Sequence, residues 1–190
     1  ARGDGVEESM PEESADILRR EIGMGRAPVD MGVLETAILS KLRTMSDEDY
    51  ECLPDVSEGL HRRFKKYAVQ EASVNDILMK VKTKRYSMAR LRRIMLYAFL
   101  GITREDMQAQ RPEYVKVLAM NGRGKEILKA ADKKIPVLSK PAHGKYLSLS
   151  VQKQLALEAR ATDLYSLAYP EVCRRIGGQE WKLSPIVVQH

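Results

Sequence analysis

One helix has both of its ends written into the sequence, and it restricts the fold more than any other stretch. Ser87 is a good N-cap, Gly101 a good residue to follow a C-terminus, and Ile94-Met-Leu-Tyr-Ala-Phe-Leu100 between them is apolar. A helix over about 87–100 is therefore predicted. At about 100° per residue, Leu91, Ile94, Met95, Ala98 and Phe99 share one face, while Arg90, Arg93 and Tyr97 share the opposite one. Leu96 and Leu100 widen the apolar arc, so the C-terminal half is expected to be buried almost all round.

The same helix begins inside a run of cations. From Lys80 to Arg93 seven of fourteen residues are Lys or Arg, and no acidic residue lies between Ile77 and Arg104. Lys82, Lys84 and Arg85 fall just outside the helix start and Arg90 within its first turn. Each cation there is unfavourable by a few tenths to ~1 kcal/mol, because the helix N-terminus is itself positive. A bound polyanion would compensate, since free N–H groups, the dipole and the side chains all favour phosphate. Nucleic acid is the leading partner, with Lys82, Lys84, Arg85, Arg90 and Arg93 as phosphate candidates. Tyr86 has two open readings, a platform for an unpaired base or a core tyrosine. Arg92, beside Leu96 and Phe99, is expected to be a partnered or snorkelling structural arginine and not a ligand contact.

Charge is unevenly spread. Residues 1–58 hold 6 Lys/Arg against 15 Asp/Glu, a net of −9, and residues 59–190 hold 26 against 11, a net of +15. The basic part attracts a polyanion and the acidic part restricts how it docks. No apolar run approaches the ~18 residues of a membrane span. Cys52 and Cys173, with His61, His143 and His190, make no metal-ligand spacing. A cytoplasmic protein with two reduced thiols is expected.

Apolar periodicity predicts a helix over 11–24, with Ile17, Leu18 and Ile22 as its stripe, and another over 31–45 through Val33, Leu34, Ala37, Ile38 and Leu42. Ser46 with Asp49 resembles a capping box, Ser57 and Ser73 are placed as caps, and Thr103 with Asp106 is read as one more helix start. From 112 the pattern changes: strand-like 114–120, helical 124–134 through Ile127, Leu128 and Ala131, strand-like 135–138. Helix returns over 150–169, and a terminal strand is placed between Trp181 and Val188. The expected fold is mainly α: a compact multi-helix domain, residues 1–110, followed by a small α/β domain, residues 111–190, with a short β-α-β sheet.

Four stretches in this order resemble one family: Gly25-Arg-Ala-Pro-Val29; Leu53-Pro-Asp-Val-Ser-Glu-Gly-Leu60 followed by Arg63-Phe64; Lys82-Thr-Lys-Arg-Tyr-Ser87 with Arg90-Leu-Arg-Arg93; and Arg160-Ala-Thr-Asp-Leu-Tyr-Ser-Leu167. Together they are similar to the C-terminal half of the tRNA(Met) cytidine acetate ligases, nucleotidyltransferase-like proteins with a His-x-Gly-His motif. That family usually has Thr where Ser87 stands, which keeps a hydroxyl cap. The resemblance implies ATP-dependent activation of acetate as acetyl-adenylate and acetyl transfer to the wobble cytidine of elongator tRNA(Met). No His-x-Gly-His occurs in this sequence. The resemblance then implies a C-terminal fragment whose partners are tRNA and its own N-terminal catalytic domain. ATP and acetate would be used by the full-length protein and none bound by the fragment.

Other chemistry is sparse. Asn121-Gly-Arg-Gly-Lys125 lacks the full phosphate-loop spacing, so a tight turn into a helix is the favoured reading. Asp55 and Glu58 flank Ser57 as capping residues. Arg160 and Asp163 lie one turn apart and are expected to pair, or to serve the domain junction. No catalytic residues and no metal site are assigned. A helical protein-interaction module without intrinsic RNA binding is the alternative function.

Overall fold

The computed structural model describes residues 6–57, 59–108, 113–131 and 134–188. Six α-helices come first: α1 (Glu12–Gly23), α2 (Glu35–Thr44), α3 (Asp47–Glu51), α4 (Leu60–Gln70), α5 (Val74–Val81) and α6 (Met88–Leu100). Side-chain capping sets three of these six starts. Ser46 and Asp49 form a reciprocal capping box, the Ser73 side chain accepts the Asp76 N–H, and the Ser87 side chain accepts the Arg90 N–H. α6 ends at Gly101, whose φ of 66° places it in the left-handed region that a glycine adopts without Cβ strain.

These helices enclose the larger core. Leu34, Ile38 and Leu42 of the α2 region face Leu60 and Phe64 of α4 and Ile77, Leu78 and Val81 of α5. The five α6 residues predicted to share a face, Leu91, Ile94, Met95, Ala98 and Phe99, are the five of that helix that are buried. α6 touches α2, α5 and a later helix, so its apolar arc is covered from several sides.

Several expectations are corrected here. α1 buries only Ala15, and Ile17 and Ile22 of its expected stripe are exposed. Val33 is exposed because a 3-10 turn, Met31–Leu34, precedes α2 and shifts its phase. α4 starts at Leu60 with Gly59 as N-cap, not at Ser57. Thr103 and Asp106 exchange capping hydrogen bonds, yet only turns follow, as Arg104 is drawn back to the Cys52 carbonyl.

The expected helical domain followed by a β-α-β unit is also corrected. The stretch 114–120 is broken into β1 (Val115–Lys116) and β2 (Ala119–Met120). β1 pairs in parallel with β3 (Val137–Leu138), whereas β2 pairs in parallel with β4 (Ile186–Val187). Two separate two-residue ladders replace the single sheet. The intervening helix α7 (Gly122–Ala130) buries none of its residues, so it does not cover a sheet face. The physical reason is burial: Val115 and Leu118 stay exposed, so no continuous face existed to hold one long strand in register.

A smaller core forms from Tyr114, Leu138, Val151 and Leu155. Val151 and Leu155 belong to α8 (Leu149–Ser166), the longest helix. Gly144 of the 3-10 helix Pro141–Tyr146 sits so close to Leu155 that a Cβ would collide with that side chain. Beyond α8, Ala168 returns to the larger core and Leu164 packs against it. α8 thus joins the two cores. Among the described residues no helix is long and apolar enough to cross a membrane, and Cys52 and Cys173 are free and exposed.

Candidate nucleic-acid interface

The basic run lies where α5 ends and α6 begins. Thr83 Oγ1 accepts the N–H groups of Arg85 and Tyr86, each at 3.2 Å, which folds the linker into a tight turn. Lys82, Lys84 and Arg85 are exposed. The Lys82 and Lys84 side chains make no hydrogen bond or ion pair among the described residues, while the Lys82 backbone N–H donates to the Leu78 carbonyl at 2.9 Å. The Arg85 guanidinium lies 6.0 Å from the Tyr86 ring centroid.

Tyr86 itself belongs to the larger core, 7% exposed, with the Arg90 guanidinium 5.1 Å from its ring centroid. That burial agrees with the core-tyrosine reading, and the ring lies under the arginines around it.

Arg90 and Arg93 are already engaged, both by Asp55, and Arg90 Nη2 also donates to Ser57 Oγ at 3.4 Å. Arg90 donates from Nη2 (2.6 Å) and Nε (3.2 Å) to the Asp55 carbonyl. Arg93 donates from Nε to Asp55 Oδ2 at 2.9 Å, and its Nη2 stands 2.7 Å from the same oxygen in an ion pair. Asp55 has a φ of 61°, in the left-handed region that a non-glycine residue seldom occupies. The loop around it is held by a third arginine: Arg104 donates to the Leu53 carbonyl (3.1 Å) and the Val56 carbonyl (2.6 Å). Asp55 is therefore an anchor for α6 and not a helix cap; Glu58 lies outside the described residues.

Arg63 of α4 extends the basic surface, donating to the Lys80 carbonyl at 2.6 Å and stacking 5.6 Å from Tyr67, beside Lys66 at 5.5 Å. The contacts of Asp55, Arg63 and Arg104 at this surface were not anticipated from the sequence. The signal was present, since Asp55 and Arg63 sit in one family-like stretch and Arg90 and Arg93 in another. Arg92 is exposed and makes no ion pair among the described residues, so of the two expected structural roles the partnered one is not seen. It stands at the rim of an apolar groove bordered by Met31, Met95 and Leu96.

Arg160 and Asp163 do not pair. Arg160 reaches the Gly101 carbonyl at 3.4 Å, joining α8 to the end of α6, and Asp163 accepts the Gly178 N–H at 2.7 Å. Asn121 caps α7 by accepting the Gly124 N–H at 2.8 Å, the tight turn expected there. A separate polar cluster fastens the smaller core: Tyr114 and Lys116 bond Glu158, and Lys116 and Thr162 bond Glu180, which is almost fully buried. Among the described residues no group of His, Cys, Asp and Glu is arranged to hold a metal ion.

Comparison with known proteins places this geometry in a family. A model described as HIGH Nucleotidyl Transferase matches residues 2–180. Curated relatives called tRNA(Met) cytidine acetate ligase include one from Thermotoga maritima, 34% identical over 99% of this chain and 48% of its own length. Another, from Acetivibrio thermocellus, is 32% identical over 95% of this chain and 45% of its own. Among solved structures, Thermotoga maritima TmcAL in its apo form superposes with a TM-score of 0.87 at 30% identity, over 95% of this chain and 46% of that one. The same protein bound with alpha-thio ATP gives a TM-score of 0.85 at 32% identity, over 95% of this chain and 47% of that one. The chain spans about half the length of the relatives it matches. The expectation of a C-terminal fragment from which the nucleotidyltransferase-like half is absent is corrected, because the nucleotidyltransferase family model matches residues 2–180 of this chain itself. The chain belongs to the HIGH Nucleotidyl Transferase family.

Proposed function

We propose that this chain supplies an RNA-docking surface for ATP-dependent acetylation of a cytidine in tRNA(Met). The observation that carries the reading is the exposed pair Lys82 and Lys84 beside Arg85, on a tight turn at the positive end of α6. A sugar–phosphate chain lying there meets cations, helix N–H groups and the dipole together. The name borne by the relatives supports tRNA as the polyanion, and the ATP analogue bound to the Thermotoga maritima protein supports ATP as a substrate. Our reading concerns docking.

Binding of tRNA to the chain and to a Lys82→Ala plus Lys84→Ala variant, measured at several salt concentrations, tests it. Each lost phosphate contact lowers the log–log salt slope by about 1, so the double variant is expected to lose about 2. An unchanged slope overturns the reading.

A second reading, a helical protein-interaction module without intrinsic RNA binding, is favoured by an apolar groove of about 370 Å³ beside Met31, Leu96, Leu100, Leu164 and Tyr165. It predicts no retention of tRNA at low salt by the unmodified chain.

A further inference from the structure

The anchoring of Arg90 and Arg93 on Asp55 leaves a question that the docking surface does not answer. Two of the cations best placed for phosphate are held by the protein's own backbone and carboxylate. Arg93 presents Nε and Nη2 to a single Asp55 oxygen, at 2.9 and 2.7 Å, the edge an arginine uses for a phosphate oxygen. Both side chains stay accessible, Arg93 at 52% and Asp55 at 39% exposure, so a ligand can reach the pair. An exposed ion pair of this kind contributes little to stability, ~0–1 kcal/mol. A left-handed φ at a residue that is not glycine costs energy of its own. Structural stapling alone explains the Arg90 and Arg104 contacts, which go to backbone carbonyls and, from Arg90, to the neutral Ser57 hydroxyl at 3.4 Å. It does not explain the carboxylate.

We propose that the Asp55 carboxylate is an internal stand-in for RNA phosphate: it occupies Arg93 in the free chain, and a docking RNA must displace it. The inference rests on the RNA-docking reading above. Its consequence is selectivity. An RNA that places a phosphate at Arg93 while also meeting Lys82 and Lys84 displaces the carboxylate, whereas a scattered or flexible polyanion meets an acidic group and gains less. Arg90 keeps its carbonyl partner throughout, so the start of α6 stays in place while Arg93 changes hands.

A double-mutant cycle with the whole 190-residue chain tests this. Asp55→Asn keeps the shape and the tolerance for left-handed backbone while removing the charge. Elongator tRNA(Met) is the probe, titrated at several salt concentrations against the unmodified chain, Asp55→Asn, Arg93→Gln and the double variant. Asp55→Asn is expected to tighten binding several-fold, to steepen the salt slope by up to about 1, and to lose this gain when Arg93 is Gln. Removing an acid elsewhere tightens binding through general attraction, but that gain would persist in the Arg93→Gln background. An equal gain in both backgrounds, or weaker binding by Asp55→Asn, overturns the inference. Asp55→Gly, which accepts the same backbone angle, is the second route if the Asn variant folds poorly, and circular dichroism reports folding of each. If Lys82→Ala plus Lys84→Ala weakens binding while Asp55 shows no dependence on Arg93, the docking reading stands and this inference alone falls. If the lysine pair has no effect, both fall.

Discussion

Tyr50→Phe removes one oxygen atom and tests how the α2–α3 corner is held. Tyr50 is 1% exposed and its hydroxyl donates to the Leu42 carbonyl at 2.6 Å. α2 ends at Thr44, so that carbonyl is one of the last four in the helix and has no intrahelical partner. Phenylalanine keeps the ring packing and leaves the carbonyl unsatisfied in an apolar setting, a loss of about 1–3 kcal/mol. Taking roughly 2 kcal/mol, the melting temperature of a chain this size falls by about 4–8 °C. Urea denaturation followed by far-ultraviolet circular dichroism measures it, with the denaturant slope expected to stay constant. Tyr146→Phe, at a largely exposed ring, is the control and should stay within about 0.5 kcal/mol. A loss for Tyr50→Phe no larger than the control's would refute the reasoning, showing that the hydroxyl is not what satisfies the corner.

Gly101→Ala is expected to cost about 1–2 kcal/mol in the same assay. The backbone there is left-handed, and the new Cβ would stand 3.2 Å from Arg160 Nη1, disturbing the link between α6 and α8. Gly101→Asn should cost less, since Asn tolerates that region, and equal costs would discredit the cap. Stability should also fall in alkali. Burial alone would lower the Lys116 pKa, but hydrogen bonds and charge from Glu180 and Glu158 outweigh it and raise the value; burial pushes Tyr114 up, with Glu158 adding to it. Groups raised in the folded state stabilise fully below their ordinary values near pH ~10, and that contribution is lost as pH climbs through the raised ones. Denaturation midpoints from pH 7 to 12 should therefore decline above about pH 10, less steeply in Tyr114→Phe. A flat profile would count against the cluster as a fastener.

Helix existence was legible wherever a cap and an apolar period coincided. Ser87 and Gly101 delimit α6, and its 3.6-residue period named the buried face before any neighbour was known. Ser46 and Ser73 did the same for α3 and α5, because capping is chemistry among residues three apart. Period misled where no partner surface existed. Ile17 and Ile22 of α1 and Ile127 of α7 obey helical spacing and remain exposed, since amphipathicity states which face is apolar and not whether anything covers it. The two short ladders were illegible for a related reason: β1 with β3 and β2 with β4 are partners far apart in sequence, chosen by packing.

At the interface the division is similar. The cationic run from Lys80 to Arg93 and its place at the positive end of a helix were written in the sequence, because charge and capping are local properties. The engagement of Arg90 and Arg93 by Asp55, more than thirty residues away, was not. Composition determined that the positive charge would gather beside α6, and only the tertiary structure decided which of those cations stand unengaged among the described residues. An ion pair between distant residues depends on a backbone path, here a left-handed turn held by Arg104, that no spacing along the chain encodes.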